Sequence, residues 1–502
     1  MEAVRRLLGV PPARTAPRVD DDHVYPLHVL DDTKMHREIF LNWILVFDDV
    51  LDAGRLHRSL ARLLELGDWR KIGGRLRLKV AICLSFLPLP EDGRLEVQVP
   101  QAFTAERPAI AYSHESLDMD MKDHPIARTL PKVTKNASIQ PGAPCYKSFA
   151  APTPATLNDY LYKDIPQLSL RITSFQDATL VALSWPHTLM DVMGQEALLR
   201  AWSLVLGGRE SDVQPVIGAY KDAMAAAISG YNKGEFKLRN KVLRGFSLVK
   251  FVLRLVWDKI WNPALVTQTI LVPQSALTEL RRQAQMDLRL GYGKPPFVSD
   301  GDILAAWLAR AVASSLPRPR PMTLVHALNA RTRLSSLDAP GVFIQNMVVA
   351  AHTLLSADCA RGQLGQIALE NRRHLMAQST EGQVLAFLHE QLKDCKSGGN
   401  PRMLLCTDPD AVLLTFTNWS QAKLFRAADF SPAVVHTAKT ALRRSGNPPG
   451  TITTHFVDVV SGSPVRMSWV GVLGKDHGDN YWLSGLLLPS VWAKVEEGFA
   501  KL

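Results

Sequence analysis

His187 and Asp191 stand four residues apart in the run SWPHTLMDVMGQEALL. An imidazole titrates near pH 6.5, so it can take a proton from a hydroxyl or an amine near neutrality. A carboxylate four residues on can accept a hydrogen bond, or pair with an arginine, and so lock the turn that aims the imidazole. The pair alone is a weak signal, because a histidine four residues before an aspartate arises by chance in many chains. A helical zinc site would need a second histidine four residues away; none is there, and no metal site is expected.

The elements around the pair are better defined. Thr179 to Trp185 is apolar, bounded by a charge and a proline, and reads as a buried strand. Pro186 has no N–H to donate and ends the ladder. After Gly194, residues Ala197, Leu198, Ala201, Trp202 and Val205 recur at helical spacing up to the stop at Gly207-Gly208. His187 and Asp191 are thus expected on the turn between a buried strand and a helix, a common seat for reactive groups.

The rest of the chain reads as mixed α/β in two halves. Ile39 to Phe47 is a strand, Leu51 to Leu66 a helix, and residues 67 to 78 a glycine turn entering a strand. Leu95 to Val99 and Leu168 to Ile172 are further strands. In the second half, Gln268 to Val272, Met322 to Leu328, Val342 to Ala351 and Val412 to Thr417 read as strands. Helices are expected at Leu277 to Ala284, after the N-cap Ser299, within Gly365 to Leu392, and at the C-terminal end. The proposed division is 1–215, a linker over 216–265, and 266–502.

Bulk properties exclude several classes. A 502-residue chain, 46% hydrophobic and 21% charged, is an ordinary globular protein of about two domains. Five cysteines (Cys83, Cys145, Cys359, Cys395 and Cys406) share no CxxC spacing, which fits free thiols in a reducing compartment. Neither a signal peptide nor a membrane span is visible, so the cytoplasm is the expected location. The net charge of +10 is spread along the chain and does not suggest a nucleic-acid binder; it suits an enzyme with a phosphorylated cosubstrate. The exception is Lys233 to Asn262, where eight Lys and Arg oppose two carboxylates and interleave with Phe246, Leu253, Trp257, Ile260 and Trp261. Two readings compete: a helix on an anionic membrane, contacting it through 246–261, or an interdomain crossover whose apolar face packs on the protein body. The crossover is favoured.

Late in the chain stands TNWSQAKLFRAADFSPAVV, from Thr417. With His187–Asp191, VYPLHVLDDT, GDWRKIGGRLRL, SDGDILAAWLARA, and NARTRL followed by IQNMVV, it resembles the BAHD-type acyl-CoA-dependent transferases, in their fungal secondary-metabolite branch. The resemblance covers nearly the whole chain in the same order. It departs at Val192, where many members have glycine, and at ADFSPAVV, where ADFGWG is usual. Related condensation domains carry two adjacent histidines; here Pro186 takes the first place.

The resemblance implies two chloramphenicol-acetyltransferase-like domains, each a mixed sheet with flanking helices, and an active-site channel between them. It implies an acyl-CoA cosubstrate, with acetyl-CoA expected, no tightly bound cofactor, a hydroxylated small-molecule acceptor such as a terpenoid or polyketide, and a monomer. His187 would be the general base for direct attack on the thioester. Thr417 would offer a hydroxyl near the reacting centre, with Asn418 and Trp419 at the pocket wall. Asp191 would be structural, and Arg331 would brace Asp429. N-acylation, a longer acyl donor, or a degenerate binding protein are the alternatives.

Overall fold

The computed structural model describes residues 16, 18–79, 93–151, 154, 156–231, 234–262, 264–292, 295–393, 401, 404–437, 446–461 and 467–500. Cys83, Cys395, Lys233 and the N-terminal arginines lie outside them. The main elements in chain order are β1 (Ile39–Phe47), α1 (Ala53–Leu63), β2 (Ala111–Ser116), β3 (Ser138–Pro141), β4 (Ser169–Ser174), β5 (Thr179–Pro186) and α2 (Val192–Leu206). There follow α3 (Gly245–Trp261), β6 (Val266–Val272), α4 (Gln274–Tyr292), α5 (Asp300–Ser315), β7 (Met322–Asn329), β8 (Val348–Leu355), α6 (Leu364–Gln378) and α7 (Glu381–Gln391). The chain closes with β9 (Val412–Asn418), β10 (Thr454–Ser461), β11 (Trp469–Lys475), β12 (Tyr481–Leu487) and α8 (Pro489–Phe499).

Two mixed sheets carry these elements, with strand order β10-β1-β5-β4-β2 in one and β8-β7-β9-β11-β12-β6-β3 in the other. Each takes a strand from the far half of the chain. β10 pairs antiparallel with β1, and β3 pairs antiparallel with β6. The fold is therefore mixed α/β with two sheet-containing domains, as expected, but the strands interlock across the chain.

Local chemistry accounts for the boundaries. α1 begins at Asp52, whose side chain accepts from the Arg55 N–H, and buries Leu56, Leu60 and Leu63 on one face. α5 starts with a capping box: Ser299 and Asp302 each accept from the other's backbone N–H. Its flank of Ile303, Leu304, Ala305, Trp307 and Leu308 is buried in the second sheet's core. One strand expectation shifts, and four strands were not expected. Residues 342–347 form an extended loop and the strand begins only at Val348, while β2, β3, β10 and β11 carry no marked sequence signal.

The largest departure is α3. Its apolar face was expected to pack on the protein body, yet of its residues only Phe251 is buried. Phe246 is 84% exposed, and Ile260 and Trp261 are 67% exposed each. The helix rests on the body along a narrow edge through Phe251 and Leu255, and that edge cannot cover an apolar arc lying opposite. Among the described residues no helix is long and apolar enough to cross a membrane.

Candidate active site

β5 is buried along its whole length and held on both flanks, by β1 and by β4. Its end is therefore fixed. Pro186 still faces Phe40 across the ladder, and the next N–H, that of His187, donates to the Ile39 carbonyl at 2.9 Å. The turn closes with Leu189 N–H on the Pro186 carbonyl at 2.9 Å. Asp191 is then the N-cap of α2, its Oδ1 accepting from the N–H groups of Met193 (3.1 Å) and Gly194 (3.2 Å). The helix thus starts at Val192.

The other Asp191 contacts come from the second half of the chain. Arg331, just beyond β7, donates from Nη1 to Oδ2 at 2.8 Å and from Nη2 to Oδ1 at 3.0 Å. Met347 N–H donates to Oδ2 at 3.0 Å. The guanidinium is itself aimed by the carbonyls of Phe343 and Gln345, both accepting from Nη2, at 3.0 and 2.5 Å. Asp191 and Arg331 are largely buried, at 4% and 13% side-chain exposure. With every lone-pair direction of Asp191 in use, the carboxylate stitches the His187 turn to the 343–347 loop and has nothing left for a substrate.

This corrects the expected brace. Arg331 does not pair with Asp429, which is exposed and local: its Oδ1 accepts from the N–H and hydroxyl of Ser431 at 3.1 and 2.6 Å. The neighbouring Phe430 does the packing there, buried against Phe47 and Trp202. Arg331 turns to Asp191 because the 343–347 carbonyls and the N-cap carboxylate together saturate a planar five-donor fork.

Gly194 explains why glycine stands two places after the expected position. A Cβ there would lie 2.3 Å from the Ile344 carbonyl oxygen and 2.8 Å from Met190 Cβ. α2 can approach the loop only without a side chain at this point.

The imidazole of His187 is half-buried. The His36 ring stacks on it with centroids 4.6 Å apart and an interplanar angle of 11°. His36 Nδ1 lies 2.7 Å from the Leu30 carbonyl, an acceptor only, so Nδ1 carries the proton. Burial, and His187 beside it, push the His36 pKa down to about 3. Burial also lowers that of His187, opposed by its own backbone, Asp191 and Asn346. Both rings are therefore neutral at pH 7, and a neutral imidazole is the form that can accept a proton.

Asn346 completes the support. Its Nδ2 donates to the His187 carbonyl at 2.9 Å and to Asp31 Oδ1 at 2.8 Å, while its backbone N–H donates to the same Oδ1 at 2.7 Å. Burial raises the Asp31 pKa to about 7, with Lys71 and Asn346 opposing. Asp31, His36 and Asn346 were not singled out from the sequence; VLDDT and IQNMVV stood out only as stretches of family likeness, with no chemistry of their own.

Thr417 and Trp419 form a separate unit at the end of β9. Trp419 Nε1 donates to Thr417 Oγ1 at 2.9 Å, so the hydroxyl proton is free to be offered elsewhere. Trp419 is partly buried, packed against the core. Asn418 is exposed, with its Oδ1 accepting from Ser420 N–H at 3.0 Å. Among the described residues no hydrogen bond joins this unit to His187. No group of three His, Cys, Asp or Glu that could hold a metal ion occurs among the described residues, and Cys145, Cys359 and Cys406 are free thiols.

No protein-family model matches the chain. The chain is 34% identical to the O-acetyltransferase PaAT-2 of Phomopsis amygdali over 500 residues, covering 96% of this chain and 98% of that one. To the acetyltransferase pyiB of Pyricularia grisea it is 31% identical over 494 residues, covering 97% and 95%. Its fold matches that of F. sporotrichioides TRI101, solved in complex with coenzyme A and T-2, at a TM-score of 0.62, 16% identity and coverage of 96% and 99%. Fold and relatives together define an acyltransferase with two sheet-containing domains. The chain belongs to the family of fungal acetyltransferases that includes PaAT-2 and pyiB.

Proposed function

We propose that the protein is an acyl-CoA-dependent O-acetyltransferase that modifies a hydroxyl of a fungal secondary metabolite, with His187 as general base. The observation that carries the reading is the neutral, half-buried His187 on a turn cross-braced by Asp191, Arg331 and Asn346. The unit that works is a monomer with one lobe built on each sheet and the channel between them; a division at 1–215 and 266–502 does not follow the lobes, because β3 belongs to the second sheet and β10 to the first.

The chemistry needs four events. His187 removes the acceptor hydroxyl proton, and the oxygen forms a bond to the thioester carbonyl carbon. The negative charge that develops on the carbonyl oxygen calls for a preorganised donor, for which the free Thr417 proton is the candidate, held in orientation by Trp419. Collapse of the tetrahedral species breaks the C–S bond. The imidazolium then returns its proton to the departing thiolate, releasing the ester and CoA. Asp191 takes no part in this transfer; it positions the turn.

The test is a thermal-shift series with acetyl-CoA, longer acyl-CoAs and free CoA, followed by thiol release with a panel of hydroxylated terpenoids and polyketides. A ligand at about 100 times its Kd stabilises the fold by about 2.7 kcal/mol. A shift with acetyl-CoA and acceptor-dependent thiol release are expected. A larger shift with a longer acyl-CoA, or turnover only on amines, would move the assignment to the alternative donor or to N-acylation. No shift with any CoA species would overturn the proposal and leave a binding protein.

A further inference from the structure

Among the described residues few large apolar side chains are exposed in any one place except on α3. There, nine such residues face solvent within 17 positions: Phe246, Leu248, Val249, Val252, Leu253, Val256, Trp257, Ile260 and Trp261. At about 100° per residue, Phe246, Val249, Val252, Leu253, Val256, Trp257 and Ile260 fall within an arc of about 140°. Lys250 and Arg254 border that arc on one side and Lys259 on the other, while Phe251 and Leu255 anchor the opposite edge to the body. An apolar stripe turned outward between cationic borders suits a helix lying in the plane of an anionic lipid surface.

The charge around α3 points the same way. A cavity of about 370 Å³ opens beneath its C-terminal half, lined by Arg254, Lys259, Arg318 and Arg320 with Asp258 as the single carboxylate. Asp258 is already held by Arg320, Nη1 to Oδ2 at 2.8 Å, and Lys250 reaches Asp410 at 2.5 Å. The balance stays positive beside the two tryptophans, whose rings lie 5.8 Å apart at the helix end. Upstream, Lys237, Arg239, Lys241 and Arg244 are all exposed. The cavity does not include His187, Asp191 or Thr417, so it is no part of the catalytic site.

We infer that α3 docks the enzyme peripherally on anionic phospholipid membranes, its apolar arc entering the headgroup–acyl boundary and its cationic borders meeting lipid phosphates. A second copy of the chain would have to offer acidic residues opposite those borders, whereas this same face is basic on both sides. A lipid surface satisfies the apolar arc and the charge together.

The test is co-sedimentation of the full chain with vesicles of phosphatidylcholine, with and without a third of phosphatidylserine, at low and raised salt. Leu253→Glu/Ile260→Glu is the variant, both positions being about two-thirds exposed, with melting and thiol release on a soluble acceptor as controls. Wild type is expected to sediment with anionic vesicles, to be released by salt, and to bind at least about tenfold more tightly than the variant. Wild type remaining in the supernatant, equal binding to neutral vesicles, or undiminished binding by the variant would each overturn the inference. So would a wild-type dimer, without vesicle binding, that the variant converts to a monomer; that result would make α3 a contact between copies.

Discussion

Arg331 grips Asp191 with both terminal nitrogens, at 2.8 and 3.0 Å, across 140 residues of sequence. One carboxylate therefore does two jobs: it caps α2 in the first half and anchors the loop that follows β7 in the second. The turn bearing His187 lies between these two attachments.

Loss of either partner leaves a buried charge unpaired. Arg331→Ala is expected to cost about 3–5 kcal/mol, and Arg331→Lys to recover little because an ammonium cannot make the forked pair. Asp429→Ala, at an exposed position, should cost less than about 1 kcal/mol. Urea unfolding of the three variants separates them; an Arg331→Ala protein as stable as wild type would dismiss the clamp.

His187→Ala is expected to lower kcat by about 10²–10⁴ with little change in melting temperature. Because burial depresses the His187 pKa below its ordinary value, the acid limb of kcat/KM should have its midpoint below that of an ordinary histidine. A midpoint at or above the ordinary histidine value would contradict a buried neutral base.

Thr417→Val removes the proposed oxyanion donor and should lower kcat by about 10²-fold with KM for the acyl donor little changed. Trp419→Phe keeps the hydroxyl but frees its rotamer, so a smaller loss of kcat is expected. Steady-state kinetics of both variants decide the order; a larger effect from Trp419→Phe would argue that the indole shapes the pocket on its own.

Acid should destabilise the protein at a pH where an ordinary carboxylate is still charged. His36 and His455 are lowered to about 3, and His326 and His352 to about 4, each chiefly by burial. In the unfolded chain they take up protons near pH 6.5, so stability present above that value is lost as pH falls towards 4, by about 1.4 kcal/mol per histidine per pH unit. Asp31, raised to about 7, works in the opposite sense, one group against four. Melting temperatures between pH 7 and pH 4.5 should fall steadily; a flat profile would mean that the imidazoles reach water.

Gly194→Ala should weaken the same junction without touching any charge. The new methyl would meet the Ile344 carbonyl, and overpacking of this kind costs about 1–3 kcal/mol. Melting of the variant, read beside its kcat, tests whether α2 must approach the loop that closely.

The sequence disclosed elements whose signal is local. β1 matches its expected span, Ile39 to Phe47, because it is a run of apolar and aromatic residues, and the start of α5 was visible in Ser299 and Asp302. Position of the reactive turn was legible for the same reason, since Pro186 and the helical spacing after it are neighbours. Contacts between distant residues were not. Nothing near Arg331 tells which of many aspartates it meets, and the hydrogen bonds of Asn346 to Asp31 and His187 depend on the folded loop. The interleaving of apolar and basic residues over 246–261 was also legible, but composition does not tell whether protein or solvent lies against an apolar face.

The pairing of β10 with β1 has a consequence for synthesis. Val46 meets Thr454 in the ladder, so the two strands leave the ribosome roughly 400 residues apart. At about 5–20 residues per second, one edge of β1 waits about 20–80 s for its partner. Throughout that wait its unpaired N–H and C=O groups, on a strand that is nearly all apolar, offer a template to any nascent neighbour. Slower initiation, which spaces ribosomes along the message, should therefore raise the yield of native enzyme more than slower elongation does.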